Sequence, residues 1–140
     1  MSLEVLLVED SLHYVRLIED AFRRVNGAIH LHFAKNGTEA IAFLKREGPA
    51  HMSAPRPALI LLDLWLPIMD GYEVLARIKG DDDLKTIPIL VLSTSEAAAD
   101  IAKSYRLHAN SYLRKPLRLE ELESLVRSIN DFWLTTAKLP

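Results

Sequence analysis

Three carboxylates, a hydroxyl and a lysine stand where apolar runs of this chain break off. Glu9 and Asp10 follow Leu3–Val8, Asp63 ends the run Ala58-Leu59-Ile60-Leu61-Leu62, Ser93 follows Pro88–Leu92, and Lys115 comes just after Asn110–Leu113. Carboxylates gathered in one place repel, and the gathering costs stability unless a cation neutralises them. The ligand atoms on offer are hard oxygens with no sulfur among them, which fits Mg2+, or Mn2+ in its place. An aspartate held in such a cluster can attack phosphorus in line and form an acyl phosphate. Asp63 is the candidate nucleophile. The Lys115 ammonium suits the equatorial oxygens of a transferring phosphoryl group, and the Ser93 hydroxyl can donate to the phosphate once it exists. Taken singly, each residue has a plainer role. Asp10 could cap a helix, as Asp70 does, and Lys115 could be a solvated lysine. Ser93 and Glu96 have capping-box spacing, although Ser95 is better placed as the cap. Arrival at four strand ends together favours the chemistry.

The elements that must position these groups can be read from hydrophobic spacing. Leu3–Val8 is a first buried strand. Leu12–Val25 carries apolar residues at 14, 15, 17, 18, 21, 22 and 25, a helical period, and Asn26-Gly27 closes it with a left-handed glycine expected. Ile29, Leu31 and Phe33 alternate with His30 and His32 as a half-buried strand. Asn36 caps a helix with Glu39 three residues on, ending before Gly48-Pro49. Residues 48–57 hold three prolines and no period, and read as a surface loop. A third strand runs to Asp63, a helix opens at Asp70-Gly71-Tyr72-Glu73 and reaches Gly80, and Pro88–Leu92 is a fourth strand. A helix from about Glu96 to Leu107, a strand Asn110–Leu113 and a last helix from about Leu117 complete the chain. The last helix has Leu119, Leu122, Val126, Ile129 and Trp133 as its core stripe.

Strands alternating with helices predict a doubly wound α/β fold: a five-stranded parallel sheet of order 2-1-3-4-5 with helices on both faces. In a parallel sheet the C-terminal strand ends lie on one side, so the candidate residues converge there. That is the edge where open α/β sheets place their ligands.

Composition narrows the function. The 140 residues are 49% hydrophobic and 26% charged, as expected for one domain with a real core. A net charge of −2 gives no basic balance for nucleic acid or an anionic membrane. No cysteine is present, which excludes disulfides and thiolate chemistry. The N-terminus enters a strand almost at once, leaving no room for a leader peptide, and no apolar stretch approaches the roughly 20 residues of a membrane helix. A cytoplasmic single domain over residues 1–140, with no output domain after the last helix, is the expectation.

In order and spacing, Val8-Glu9-Asp10, Leu62-Asp63, Pro67-Ile68-Met69-Asp70-Gly71, Leu92-Ser93-Thr94 and Lys115-Pro116 resemble the receiver domains of two-component response regulators. The resemblance implies that Asp63 accepts phosphate from a phosphohistidine on a sensor histidine kinase. It assigns Glu9, Asp10, Asp63 and the Trp65 backbone carbonyl to the metal, Lys115 to the phosphate, Ser93 to the switch hydroxyl and Tyr112 to the switch aromatic. A cis peptide before Pro116 is also implied. The Pro-containing loop, Leu92-Ser93-Thr94-Ser95 and the ending Asp131-Phe132-Trp133-Leu134-Thr135-Thr136-Ala137 are similar to the single-domain regulators of cyanobacterial phytochromes. Trp65 and Thr94 depart from commoner receivers at positions that border the phosphate.

On this reading the chain is a phosphoacceptor rather than an enzyme with turnover, and its output passes to a downstream protein target. Leu125, Phe132 and Leu134 beside the last helix's core stripe point to a homodimer through that helix. One alternative is a receiver-like module that acts by dimerisation without phosphate. A flavodoxin-like carrier is disfavoured because Glu9-Asp10 would repel a phosphate after the first strand. An aspartyl phosphatase is disfavoured because Asp63-Leu64-Trp65 lacks a second acid. His30 and His32 are expected to face solvent, Asp81-Asp82-Asp83 to form a solvated turn, and none of the five histidines to form a metal constellation.

Overall fold

The computed structural model describes residues 3–140; Met1 and Ser2, the first residues of the N-terminus read above as too short for a leader, lie outside them. Five strands, β1 (Leu3–Val8), β2 (Ile29–Ala34), β3 (Leu59–Asp63), β4 (Ile89–Ser93) and β5 (Ser111–Arg114), alternate with α1 (Leu12–Val25), α2 (Gly37–Lys45), α3 (Gly71–Lys79), α4 (Ala98–Arg106) and α5 (Leu119–Asp131). The sheet is parallel throughout, in the order β2-β1-β3-β4-β5. Every residue of β3 and β4 is buried, the pattern of central strands covered on both faces. Alternation along them divides the core: Ile60, Leu62, Ile89 and Val91 pack with α2 and α3, and Leu59, Leu61, Leu90 and Leu92 pack with α1 and α5. Two tightly packed layers thus hold the strand ends still from both sides.

Helix starts follow the sequence closely at α1, α2 and α3 and depart from it at α4 and α5. Asn36 accepts from the Glu39 N–H at 2.8 Å, and Asp70 from the Glu73 N–H at 3.0 Å. At α1 the cap is Ser11, which accepts from the Tyr14 N–H, so Asp10 is free of that role. Helix α4 starts at Ala98 rather than Glu96, and its N-cap residue, Ala97, makes no side-chain cap bond. Ser95 instead accepts from the Ala97 N–H two residues on and points its own proton at Asp100.

Other expectations change for local reasons. Gly27 has no positive φ; Asn26, in extended backbone, ends α1 and accepts from the Ala28 N–H while donating to Asn130. The last helix begins at Leu119 rather than Leu117, and Leu119 is half exposed rather than core; Leu122, Val126 and Ile129 carry the buried stripe. After Asp131 the chain widens into a π-helical turn over Phe132–Thr136. Leu125, Trp133 and Leu134 lie partly buried against the core, leaving Phe132 exposed. Phe33 is exposed, because Ala34 is what turns inward where β2 ends. Asn110 stands outside β5, with its side-chain carbonyl accepting from the Ile89 N–H and from Lys79. His30 is exposed as expected, whereas His32 is partly buried and pairs with Glu4 at 2.9 Å, which holds the Glu4 carboxyl below its ordinary range. Asp81 accepts from the Asp83 and Leu84 N–H groups, so the acidic turn is a built one. Residues 49–51 of the Pro-containing loop form a single 3-10 turn.

Candidate functional site

Backbone bonding beyond the strands aims the polar residues. The Glu9 N–H continues the β1–β2 ladder by donating to the Ala34 carbonyl at 2.9 Å, so Glu9 is fixed although it lies past β1. Its side chain is 2% exposed, and Oε2 accepts from the Ser11 N–H at 3.0 Å. At β5 the Lys115 N–H donates to the Ser93 carbonyl at 2.7 Å, which carries the lysine over the sheet edge. The Lys115–Pro116 peptide is trans, as is every peptide bond among the described residues, in contrast to the expectation. The ammonium nevertheless points inward and bonds Glu9 Oε1, with Asp63 Oδ2 at 3.5 Å.

Asp63 is 5% exposed. Burial, and then the neighbouring Glu9 charge, push its carboxyl up from 3.8 to about 6, against the opposing pull of Lys115. Asp10 is exposed, yet Glu9, Asp10 and Asp63 each offer an oxygen within 4.8 Å of the other two. Glu9 and Asp63 therefore share one ammonium, Asp10 adds a third carboxylate beside them, and Asp63 is the acid whose charge is most disfavoured. An oxygen-only donor set with unbalanced negative charge fits a hard divalent cation.

The loop after β3 frames this edge. The Gly71 N–H donates to the Leu64 carbonyl at 2.8 Å, and a Cβ on Gly71 would stand against the Asp63 carbonyl and the Leu64 Cα. Only glycine lets α3 approach the end of β3 so closely. Ile68 has φ +70° at the centre of a tight turn in which the Met69 N–H reaches the Pro67 carbonyl. Such a conformation is strained for a β-branched residue. It buries Leu66 and Met69 while leaving Ile68 and Trp65 at the surface. The Trp65 N–H lies 3.4 Å from Asp63 Oδ1, and its ring meets Tyr72 edge-on.

Two clusters beside the edge were not singled out by spacing. Tyr14 of α1 places its ring 4.2 Å from the Lys115 ammonium and donates its hydroxyl to the Pro116 carbonyl at 3.2 Å. Burial, followed by the Glu9 and Asp63 charges, keeps that phenol protonated well above its usual range. In the sequence Tyr14 was one more apolar position of a helix; its proximity to an acidic strand end was the only clue. The second cluster centres on Asp100 of α4. Its carboxylate accepts from Ser95 Oγ at 2.5 Å and from the Tyr72 hydroxyl at 2.8 Å, and these bonds hold it below the usual carboxylate range. Ser93 Oγ accepts from the Ser95 N–H at 3.1 Å, and the Tyr112 hydroxyl donates to the Ser95 carbonyl at 2.8 Å. Ser93 and Tyr112, distant in sequence, therefore meet at Ser95.

Comparison with known proteins agrees with this architecture. Residues 5–127 match the family described as the response regulator receiver domain. The response regulator Rcp1 of Synechocystis sp. is 46% identical over 136 residues, spanning 97% of this chain and 92% of that protein. Among solved structures, the phosphorylated cyanobacterial phytochrome response regulator RcpA superposes with a TM-score of 0.94 at 46% identity, covering 100% of this chain and 99% of that one. The Mn2+-bound form of Rcp1 superposes with a TM-score of 0.90 at 45% identity, covering 98% of both chains. Sheet order, the acid–lysine edge and sequence agreement along nearly the whole length lead to one assignment: the chain belongs to the response regulator receiver domain family of two-component signalling, and is similar to response regulators of cyanobacterial phytochromes.

Proposed function

We propose that Asp63 is the phosphoacceptor of a phytochrome-type sensor histidine kinase in the cytoplasm, and that its phosphorylation switches a protein-binding surface. In the transfer, an Asp63 carboxylate oxygen forms a bond to phosphorus as the phosphohistidine N–P bond breaks, and the kinase imidazole leaves with the electron pair. Glu9, Asp10, Asp63 and the Trp65 backbone carbonyl would hold Mg2+ or Mn2+. When bound, such a cation neutralises the oxygens of the transferring group and of the crowded acids. Lys115 binds the phosphoryl oxygens once they compete with Glu9 for its ammonium. The apolar side chains of Leu12, Trp65, Ile68 and Leu117, all at least half exposed around this edge, suit docking of a protein donor.

Ser93 is the switch hydroxyl. It exchanges its bond from the Ser95 N–H for one donated to the phosphate, and the exchange is felt at Tyr112 because both groups contact Ser95. The surface of α4, β5 and α5 then engages a downstream protein target or a second copy of the chain, with Leu119 and Phe132 as exposed apolar contacts. The reading gives the chain no turnover beyond its own phosphorylation and dephosphorylation.

The single observation that supports it is the convergence of three carboxylates and one lysine on a buried strand end. Incubation with acetyl phosphate and Mg2+, followed by intact mass, tests it. One phosphate-sized adduct that is absent in Asp63→Asn supports the reading. No adduct, or one that persists in Asp63→Asn, overturns it.

A further inference from the structure

We propose that Tyr14 is a positioning residue for Lys115, its ring holding the ammonium in the pocket while the lysine passes from Glu9 to the phosphoryl group. The inference rests on the phosphoacceptor reading and extends it to a residue on α1. The Lys115 ammonium meets two carboxylates, Glu9 and Asp63, and one further surface, the Tyr14 ring at 4.2 Å. A desolvated cation–π contact at that distance is attractive and, unlike a carboxylate, makes no demand on a metal ion. When a cation draws Glu9 and Asp63 away, the ring is the partner that remains. Burial of Tyr14 keeps the ring from swinging aside, so its place does not depend on the hydroxyl's bond to the Pro116 carbonyl. Phenol ionisation plays no part, since burial keeps the hydroxyl protonated.

The contact acts on binding of the phosphoryl group through Lys115, so its loss weakens saturation by a small phosphodonor without altering the metal ligands. Tyr14→Leu removes the ring and Tyr14→Phe keeps it. The expected result is that Tyr14→Leu raises the half-saturating acetyl phosphate concentration by about tenfold, while Tyr14→Phe stays within about twofold of the parent protein. Mg2+ affinity without phosphodonor, followed by tryptophan fluorescence, should be unchanged in both variants. Thermal melting identifies a variant that is merely unfolded, and Tyr14→Met then serves as the ring-free replacement. The proposal is overturned if a folded ring-free variant saturates like the parent, if Tyr14→Phe is as impaired as Tyr14→Leu, or if Mg2+ affinity falls in step with saturation. Failure of the parent protein itself to take phosphate at Asp63 would instead sink the phosphoacceptor reading, so the two failures are separable.

Discussion

Asp63→Asn should make the metal-free protein more stable at neutral pH although it deletes the central residue of the site. In the folded chain the carboxyl is pushed from 3.8 up to about 6, so ionising it there costs about 3 kcal/mol more than in the unfolded chain. Because the folded form binds the proton more tightly, the benefit of protonation is complete below about pH 4 and is lost as the pH rises through 6. Asparagine has nearly the same shape and carries no charge. It still buries an amide with its own hydrogen-bond needs, and it leaves Lys115 paired with Glu9 alone. A net gain of about 2 kcal/mol above pH 7 remains, or roughly 6 °C in melting temperature for a chain of this length. The assay is thermal and urea unfolding of both proteins in EDTA from pH 4 to 8. The difference should open between pH 4 and 6.5 and close again when Mg2+ stabilises the parent protein. Equal stability at pH 7.5, or a difference that does not change with pH, would refute the claim that charge crowding strains this edge.

Three other perturbations probe its supports. Gly71→Ala places a Cβ against the Asp63 carbonyl and should cost about 2 kcal/mol in urea unfolding, together with slower phosphorylation because the displaced backbone belongs to Asp63, the proposed acceptor. Lys79→Met removes an ammonium that donates to the Lys85 and Ile87 carbonyls and to the Asn110 side chain at 2.9–3.0 Å; a loss of about 2–3 kcal/mol is expected, with phosphorylation intact. Asp100→Ala frees Ser95 and Tyr72, and hydrogen exchange should quicken at the Ser95 and Ala97 amides while the β3 amides keep their protection.

How much of this could be read in advance follows from the range of the forces involved. The strand order and the convergence of Glu9, Asp10, Asp63, Ser93 and Lys115 on one edge were legible because apolar runs mark buried strands and parallel pairing puts their ends together. The caps at Asn36 and Asp70 were legible because they act over three residues. What escaped depends on partners that spacing does not pair. Tyr72 bonds Asp100 across 28 positions, and Tyr14 meets Lys115 across 101. Leu119 has the right spacing for the core, yet α5 begins at that residue, at the exposed end of the helix. The pairing of Lys115 with Glu9 and Asp63 also eluded spacing, since the lysine's direction is set by the bond of its own N–H to Ser93.

The central claim is that one acid among three is the residue modified. Borohydride reduction of the protein after treatment with acetyl phosphate and Mg2+ tests it most directly, because an aspartyl phosphate is converted to homoserine at the modified position. The account predicts homoserine at residue 63 by peptide mass, with Glu9 and Asp10 unchanged. Reduction at Glu9 or Asp10, or none in a protein that carries the phosphate-sized adduct, would contradict it.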